Sequence, residues 1–418
     1  MLPVELATPS AVVDRDVLDA NLDRATARVA RLGARWRPHA KTHRAVSIAR
    51  RQLRRGAVGL TVATLNEAIG LEQAFPLRGR LARDVFWAFP LIVSEAARAV
   101  DTAIRTEALR LAVDDRRAVR ALQRALDNVP GSQFVGRGLP IRVRVEIDAG
   151  YGRSGVPADD VAGVRALIEA IGGDRRLRFD GLFTHEGDAY QPGCARGAAV
   201  AARDALVNAR DASADLAPGD PIPISLGSTP SLAAMAAEPE AFAGTIDEIR
   251  SGNDVFYDLT QVALGSCAMD DLAFTVLASV VSARPGRRAA VIDAGALALS
   301  KDRTPETFAW NGAHHGAIHG LVLPGDAWTA DGAPIAVTRG GWPIRRLSQE
   351  HGWLELADAG DSGASVDAAR ALPVGSRVRV RPAHSCLAAA CFTRYVYLKR
   401  FANDVTRVVG WWPTCGRR

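Results

Sequence analysis

The sequence predicts an α/β protein in which a (β/α)8 TIM-type barrel is joined to a mainly antiparallel β domain. Between residues 34 and 256, eight short strand-like runs alternate with amphipathic helical stretches, and eight such repeats can close a ring of parallel strands. After about residue 260 the helical periods nearly vanish, and strand-like runs separated by Gly, Pro and Asp follow one another. We therefore expect an N-terminal strand in 1–14 that joins the β domain, the barrel in 15–258, and the β domain in 259–418.

The individual elements follow from the hydrophobic periodicity. The barrel strands are predicted at 35–38, 58–63, 84–88, 109–113, 141–148, 178–184, 222–226 and 245–249. A first helix is predicted at 15–32, and the barrel helices at 43–55, 92–104, 115–127, 158–172 and 195–214. Strands of the β domain are expected at 274–281, 289–292, 335–337, 378–381 and 395–400. An open doubly wound sheet is the alternative, but no GxGxxG segment follows a first strand.

The composition favours a cytoplasmic protein without a nucleic-acid or membrane partner. The net charge of +6 comes from arginines spread along the chain, whereas nucleic-acid-binding proteins gather basic residues on one element. No run of about 18 apolar residues predicts a membrane span, and the first residues lack the pattern of a signal peptide. The five cysteines show no paired spacing, which is typical of a reducing compartment.

Candidate functional residues lie at the carboxyl ends of the predicted strands, where barrel enzymes carry their chemistry. Lys41 follows the first strand, and a lysine there can form a Schiff base if burial or nearby cations lower its pKa. On spacing alone, a surface lysine at a helix start is the more common explanation. The loops after the seventh and eighth strands are the usual phosphate site of such barrels, and ordinary turns are the alternative. They contain Gly227, Ser228 and Thr229, and then Gly252 and Asn253.

A second candidate site follows the strand predicted at 378–381. Residues two apart in an extended segment point to the same side, so we expect His384 and Cys386 to face one metal ion. Imidazole and thiolate both suit zinc, and two protein ligands leave positions for water and substrate. Taken alone, a buried cysteine beside a histidine is the more common explanation. The histidines 314, 315 and 319 are predicted to form a loop at the mouth of the active site.

Several segments, in order along nearly the whole chain, resemble the fold type III pyridoxal-phosphate (PLP) enzymes of the alanine racemase kind. Within these, they are most similar to the D-serine dehydratase and D-threonine aldolase group. The segments are ATPS (7–10), PHAKTHR (38–44), VEIDAGYGRSGV (145–156), GLFTHEGDAY (181–190), ISLGSTPS (224–231), EIRSGNDVFYD (248–258), IDAGALALSKD (292–302), SQEHGWL (348–354) and PAHSC (382–386).

The resemblance implies a role for each candidate residue. Lys41 would carry PLP and remove the α-proton of a D-amino acid. Arg153 is the first choice for the pyridine nitrogen and Arg250 the second. His185 would support the cofactor arginine, and Tyr190 would contact cofactor or substrate. The resemblance also implies a homodimer and places His351 near the metal.

The expected function is a PLP- and metal-dependent lyase acting on D-3-hydroxy amino acids. The H-x-C pair resembles that of the dehydratases, which give a 2-oxo acid and ammonia, and favours Zn²⁺. The aldolases typically have H-x-D and a harder metal such as Mn²⁺, and cleave their substrate to glycine and an aldehyde. A racemase is a further alternative, but none of the five tyrosines matches its second base. A non-catalytic PLP carrier would lack the β domain.

Overall fold

The computed structural model describes residues 6–74, 84–106, 109–129, 140–217, 221–356, 367–400 and 406–415. The chain divides into two compact units. The unit called here the barrel unit comprises Asp23–Gly252 and Cys415–Arg418, and the β unit comprises Met1–Leu22 and Asn253–Thr414. Among the described residues, no helix has both the length and the apolar character that spanning a membrane requires.

The strands in chain order are β1 Ser10–Asp14, β2 Arg35–Trp36, β3 Leu60–Val62, β4 Val85–Pro90, β5 Leu109–Val113, β6 Ile141–Asp148, β7 Val156–Pro157, β8 Leu177–Phe183, β9 Ile224–Leu226, β10 Glu248–Ile249, β11 Phe274–Ala283, β12 Ala289–Ile292, β13 Ala309–Trp310, β14 Ala313–His314, β15 Gly320–Val322, β16 Ala327–Trp328, β17 Trp342–Leu347, β18 Gly352–Glu355, β19 Arg377–Pro382, β20 Arg394–Arg400 and β21 Thr406–Pro413. The α-helices are α1 Arg15–Arg31, α2 Val46–Arg54, α3 Leu65–Ala74, α4 Ala96–Thr106, α5 Arg116–Asp127, α6 Val161–Gly172, α7 Ala195–Asp211, α8 Thr229–Ala237, α9 Leu259–Ala263, α10 Ala296–Leu299, α11 Ala368–Ala371 and α12 Ser385–Ala390.

Eight parallel strands of the barrel unit form a closed ring. They lie in the order β2-β10-β9-β8-β6-β5-β4-β3. A parallel bridge between His39 and Thr61 joins the two ends of this order, and the Thr61 N–H donates to the Pro38 carbonyl over 2.9 Å. The barrel is therefore confirmed, and each of its eight strands overlaps a predicted strand.

A layer of buried ion pairs, called here the ionic layer, fills the interior of the barrel. Strand residues two apart share a face, so alternate residues of these strands point inward. Arg37 Nε lies 2.6 Å from Glu248 Oε2, and the guanidinium of Arg144 pairs with Glu248 and Asp180. Burial opposes ionisation of Glu248, but Arg144 and Arg37 hold its pKa well below its usual range.

An aromatic pair separates this layer from another buried arginine. The Phe86 and Phe183 rings meet edge to face, with centroids 5.0 Å apart. The Arg144 guanidinium lies 4.8 Å from the Phe86 centroid, and the Arg250 guanidinium lies 5.2 Å from that of Phe183. Arg250 therefore belongs to the end of the barrel where strands β8, β9 and β10 finish.

The β unit is built on one ten-stranded sheet. Its order is β16-β19-β15-β17-β18-β12-β11-β1-β20-β21, and β19 also pairs with β11, which closes six of these strands into a small barrel. Strand β1 pairs antiparallel with β11 and parallel with β20. The strand predicted at 335–337 is wrong. The chain beside β16 makes an isolated bridge from Pro334 to Trp328, and the Ile335 N–H donates to the Ala327 carbonyl over 2.9 Å. The pairing ends there, so residues 335–337 form no strand.

Candidate active site: a lysine cavity and a metal pair

Lys41 lies in a tight turn just beyond the first barrel strand. After the His39–Thr61 bridge, the chain forms a 3-10 turn over Ala40–Thr42. His39 caps this turn, because its Nδ1 accepts the Lys41 backbone N–H over 3.4 Å. Arg44 closes the segment with a positive φ of 48°, and its N–H donates to the Ala40 carbonyl. The lysine is thus held at the carboxyl end of the barrel strands.

A cavity of about 240 Å³ brings Lys41 together with three other predicted site residues. Its lining includes His39, Lys41, Arg153, His185 and Arg250. Burial, followed by the charges of Lys41 and Arg250, holds the pKa of His39 well below its usual range. Burial, Lys41 and Arg153 do the same for His185. The cavity therefore combines cationic side chains with neutral imidazoles, which suits an anionic ligand that carries an aldehyde.

The two arginines of the cavity are held in different ways. Arg250 Nε donates to Ser225 Oγ over 2.9 Å, and its Nη2 donates to the Thr184 carbonyl. Burial lowers the pKa of Arg250 to about 10. The side chain of Arg153 is 52% exposed, and its Nη2 lies 3.8 Å from Glu146 Oε1. Arg250 is therefore fixed by three neighbouring strand ends, whereas Arg153 approaches from a loop.

His185 and Tyr190 follow strand β8. The His185 ring packs edge to face against Tyr151, with centroids 6.2 Å apart. Within the described part of the chain, no hydrogen bond joins His185 to either cavity arginine, so its supporting role stays a prediction. Tyr190 ends a 3-10 turn over Gly187–Tyr190 and is not among the described residues that line the cavity. Its contact with cofactor or substrate also stays a prediction.

The loop after strand β9 already binds a carboxylate through its backbone. Gly227 and Ser228 donate their N–H groups to Glu186, over 3.4 Å and 2.5 Å. Ser228 is also the N-cap of α8, where its Oγ accepts the Ser231 N–H, so Thr229 begins the helix. The N-terminal end of a helix favours anions. These donors suit a negatively charged group, but Glu186 occupies those of Gly227 and Ser228, so a phosphate could bind them only after its carboxylate moves away.

The loop after strand β10 divides between the two units. A Cβ on Gly252 would lie only 2.7 Å from the Cβ and the carbonyl oxygen of His39, so only glycine lets this loop pass so close to the turn that carries Lys41. Asn253 belongs to the β unit. Its side-chain Nδ2 donates to Asp258 over 2.6 Å and lies 3.3 Å from Cys386 Sγ. The Asn253 side chain is thus beside the candidate metal pair.

The local structure predicted for the metal pair is wrong, although the two side chains do meet. Residues 384–386 are not extended: His384 is the N-cap of helix α12, and Cys386 lies in its first turn. The helix forms because the Asp258 carboxylate accepts the Ser385 N–H over 2.9 Å and because the following residues are mainly alanines. The charge of Cys386 acts on the His384 imidazole and raises its pKa, so the two side chains lie near each other. Cys391 ends the helix, away from the pair.

Asp302 holds the other side of the His384 ring. Its Oδ2 lies 2.5 Å from His384 Nδ1. Burial alone would lower the pKa of His384, but Cys386 and Asp302 raise it to about 11. A carboxylate on one ring nitrogen orients the other toward a metal. No group of three or more potential ligands occurs in the described ranges, so this pair would leave positions for water and substrate.

The other histidines of the β unit have different surroundings. His315 is buried and stacks on Phe308, with centroids 5.6 Å apart. His314 lies in the β13–β14 hairpin. His319 Nδ1 forms a 3.0 Å hydrogen bond with the Asp302 backbone carbonyl, which ties it to the residue that holds His384. His351 is exposed, and its Nδ1 lies 3.5 Å from Ser348 Oγ.

Sequence reasoning missed four acidic residues that contact predicted site residues. They are Asp302 beside His384, Asp258 beside Asn253, Glu146 beside Arg153, and Glu186 at the loop after β9. All four fall inside segments that carry the family resemblance, and Glu186 directly follows His185. Their position in those segments was the available signal.

Comparisons with known proteins define the class. The model "Alanine racemase, N-terminal domain" matches residues 13–259, and "Putative serine dehydratase domain" matches residues 273–398. The chain is 34% identical to the D-threo-3-hydroxyaspartate dehydratase of Delftia sp. (strain HT23), over 97% of this chain and 98% of that protein. The solved structure of that dehydratase superposes with a TM-score of 0.77, 30% identity and 98% coverage of both chains.

Two further relatives carry related names. A D-serine dehydratase of Schizosaccharomyces pombe is 27% identical over 99% of this chain and 92% of its own length. A D-threonine aldolase of Arthrobacter sp. is 28% identical over 75% of this chain and 79% of its own length. A cysteine variant of the Delftia dehydratase has been solved in a metal-free form.

The fold and the lysine cavity define a PLP enzyme. The chain belongs to the fold type III family, in the group that joins an alanine racemase N-terminal domain to a D-serine dehydratase domain.

Proposed function

We propose that this protein is a PLP- and zinc-dependent lyase that converts a D-3-hydroxy amino acid into a 2-oxo acid and ammonia. The observation that carries the proposal is the placement of His384 and Cys386 together at the start of helix α12, with Asp302 on the histidine ring and Asn253 beside the cysteine sulfur. The relatives named D-threo-3-hydroxyaspartate dehydratase and D-serine dehydratase support it.

In the barrel unit, Lys41 would hold PLP covalently, and its amino group would then take the α-proton of the substrate. The N–H groups of Gly227, Ser228, Thr229 and Gly252 would bind the phosphate, together with the backbone of Asn253. Arg153 would contact the ring nitrogen, with Arg250 as the second choice, while His185 and Tyr190 would support cofactor or substrate. When bound, PLP withdraws electrons from Cα, and a divalent metal acts as a Lewis acid toward the 3-hydroxyl group.

In the β unit, His384 and Cys386 would hold the metal. A thiolate ligand favours zinc over manganese, and an acceptor on Nδ1 leaves the other ring nitrogen of His384 for the ion. The proposal further includes a cytoplasmic homodimer and a division of the chain into 1–14, 15–258 and 259–418.

The second candidate reaction is retro-aldol cleavage to glycine and an aldehyde. The similarity to the Arthrobacter D-threonine aldolase supports it. The same cofactor and metal would serve both reactions, but different protons would be removed. The dehydratase would lose the α-proton, whereas the aldolase would lose the proton of the 3-hydroxyl group before the Cα–Cβ bond breaks. Cys386 favours the dehydratase, since the aldolases resembled here typically have an aspartate at that position.

The products distinguish the two reactions. D-Serine, D-threonine and D-threo-3-hydroxyaspartate are supplied separately, with and without a metal chelator. The expected products are an oxo acid and ammonia. Their formation should stop when the chelator removes the metal and should return when Zn²⁺ is added. Glycine and an aldehyde would establish the aldolase instead, and turnover that survives complete removal of metal would refute the zinc mechanism.

The cofactor lysine is tested separately, because the chain has only three lysines, at 41, 301 and 399. The purified holoenzyme is expected to absorb near 420 nm and, after borohydride reduction, to carry the cofactor on the peptide that contains Lys41. Lys41→Ala should lose the adduct, whereas Lys399→Ala should keep it. An unchanged adduct in Lys41→Ala would refute the assignment.

A further inference from the structure

A buried carboxylate in the barrel has no part in the function proposed so far. Glu146 lies on β6, two residues beyond Arg144, so both side chains point into the barrel. Glu146 is only 3% exposed. Its Oε2 is buried and meets no hydrogen-bond donor among the described residues, while its Oε1 lies 3.8 Å from Arg153 Nη2.

The surroundings of Glu146 are mainly cationic. Burial raises its pKa, whereas the Ser154 hydroxyl, Arg153 and Arg250 lower it, and Asp114 raises it further. Burial of an ionised carboxylate lowers the stability of the fold unless a nearby cation neutralises its charge. Arg250 is already bonded to Ser225 and Thr184, so Arg153 is the cation whose guanidinium can turn toward Glu146.

Arg153 in turn depends on Glu146 for its place in the cavity. It lies on the loop between β6 and β7, next to Gly152, whose φ is +74°. Its side chain is half-exposed, and Glu146 is its ion-pair partner in the described part of the chain. A separation of 3.8 Å is too long for a hydrogen bond, and the second carboxylate oxygen leaves room for a closer, two-point contact.

We propose that Glu146 is a positioning residue that anchors Arg153 in the cavity through a two-point ion pair, with Oε2 accepting the second guanidinium N–H. The inference rests on the proposed function, in which Arg153 contacts the ring of the cofactor. An anchored arginine presents its charge in one place, and it loses less conformational freedom when the cofactor binds.

A double-mutant cycle tests this with cofactor affinity as the readout. PLP is titrated into the apoenzyme of wild type, Glu146→Gln, Arg153→Met and the double variant, and absorbance near 420 nm gives each dissociation constant. Glu146→Gln should weaken binding by about fivefold. Adding Glu146→Gln to Arg153→Met should change nothing further, because the anchored group is already absent. Glu169→Gln, an exposed acid on α6, is the matched control.

Two outcomes would overturn the inference: wild-type affinity in Glu146→Gln, or an equal loss in the Arg153→Met background, which would mean that Glu146 acts without Arg153.

The pH profile of PLP affinity adds a readout that a packing role would not change. Wild-type affinity should fall as Glu146 takes up a proton in acid, and Glu146→Gln should lack that step. Glu146→Asp retains the charge, so its PLP affinity should lie between that of the wild type and that of Glu146→Gln. It replaces Glu146→Gln if that variant does not fold. A wild type without any PLP adduct would refute the proposed function itself.

Discussion

Removal of the Asp302 carboxylate should weaken metal binding by releasing the His384 ring. The hydrogen bond between Asp302 Oδ2 and His384 Nδ1 is 2.5 Å long, and bonds to charged groups contribute about 1.5–3 kcal/mol. The Asp302 side chain is 43% exposed, so solvent screening places the effect near the lower limit. About 1.5 kcal/mol corresponds to about a tenfold loss of affinity, within the roughly 10- to 100-fold range for such supporting partners.

The assay titrates Zn²⁺ into metal-free protein against a coloured chelator, and compares the absorption of the Co²⁺ form. Asp302→Ala should raise the dissociation constant about tenfold. Asp302→Asn should have a smaller effect, because its amide oxygen can still accept a bond. The His319 contact uses the Asp302 backbone carbonyl, so neither variant removes it. Asp331→Ala, at an exposed acid, is the control. Unchanged affinity in Asp302→Ala, with affinity lost in His384→Ala, would refute the reasoning.

Further predictions concern the barrel. Glu248→Gln should lower the free energy of unfolding by about 3 kcal/mol, because two buried arginines lose their counter-charge. Urea titration measures this, with Glu240→Gln, at an exposed acid, as control. Because the folded-state pKa of Glu248 is depressed, its stabilisation is present above the usual glutamate pKa and disappears as the pH falls below it. Stability of Glu248→Gln should therefore depend less on pH in acid, and an identical acid profile would contradict this. Gly252→Ala should weaken PLP binding about tenfold by displacing His39. Gly172→Ala has open space around it and should bind normally, and equal affinity in both variants would count against the close approach.

The barrel could be predicted because its signal is local and repeated. Each predicted strand is a short buried run, and each predicted helix has its own amphipathic period, so these elements differ from the structure mainly at their ends. Helices α3 and α8 were not among the predicted helices, because their apolar residues are not gathered on one face. The strand predicted at 335–337 failed because an apolar run does not indicate how far a neighbouring strand extends: β16 ends at Trp328, and the pairing stops near Ile335.

The candidate sites were less accessible to sequence reasoning, because their contacts join distant residues. The Asp258 carboxylate that begins helix α12 lies 127 positions before Ser385, and Asp302 lies 82 positions before His384. In a three-residue segment such as 384–386 no period can be detected, so an extended chain and a helix start could not be distinguished. The sequence alone does not indicate whether the carboxylate of an acidic residue such as Glu146 is solvated or buried.

The ionic layer restricts the passage of molecules through the interior of the barrel. Passage of an apolar molecule or a single ion through this layer would separate the paired side chains. Separation would leave charged groups buried without a partner, which costs free energy. A molecule bound beside Lys41 therefore enters and leaves the cavity without passing through the interior of the barrel.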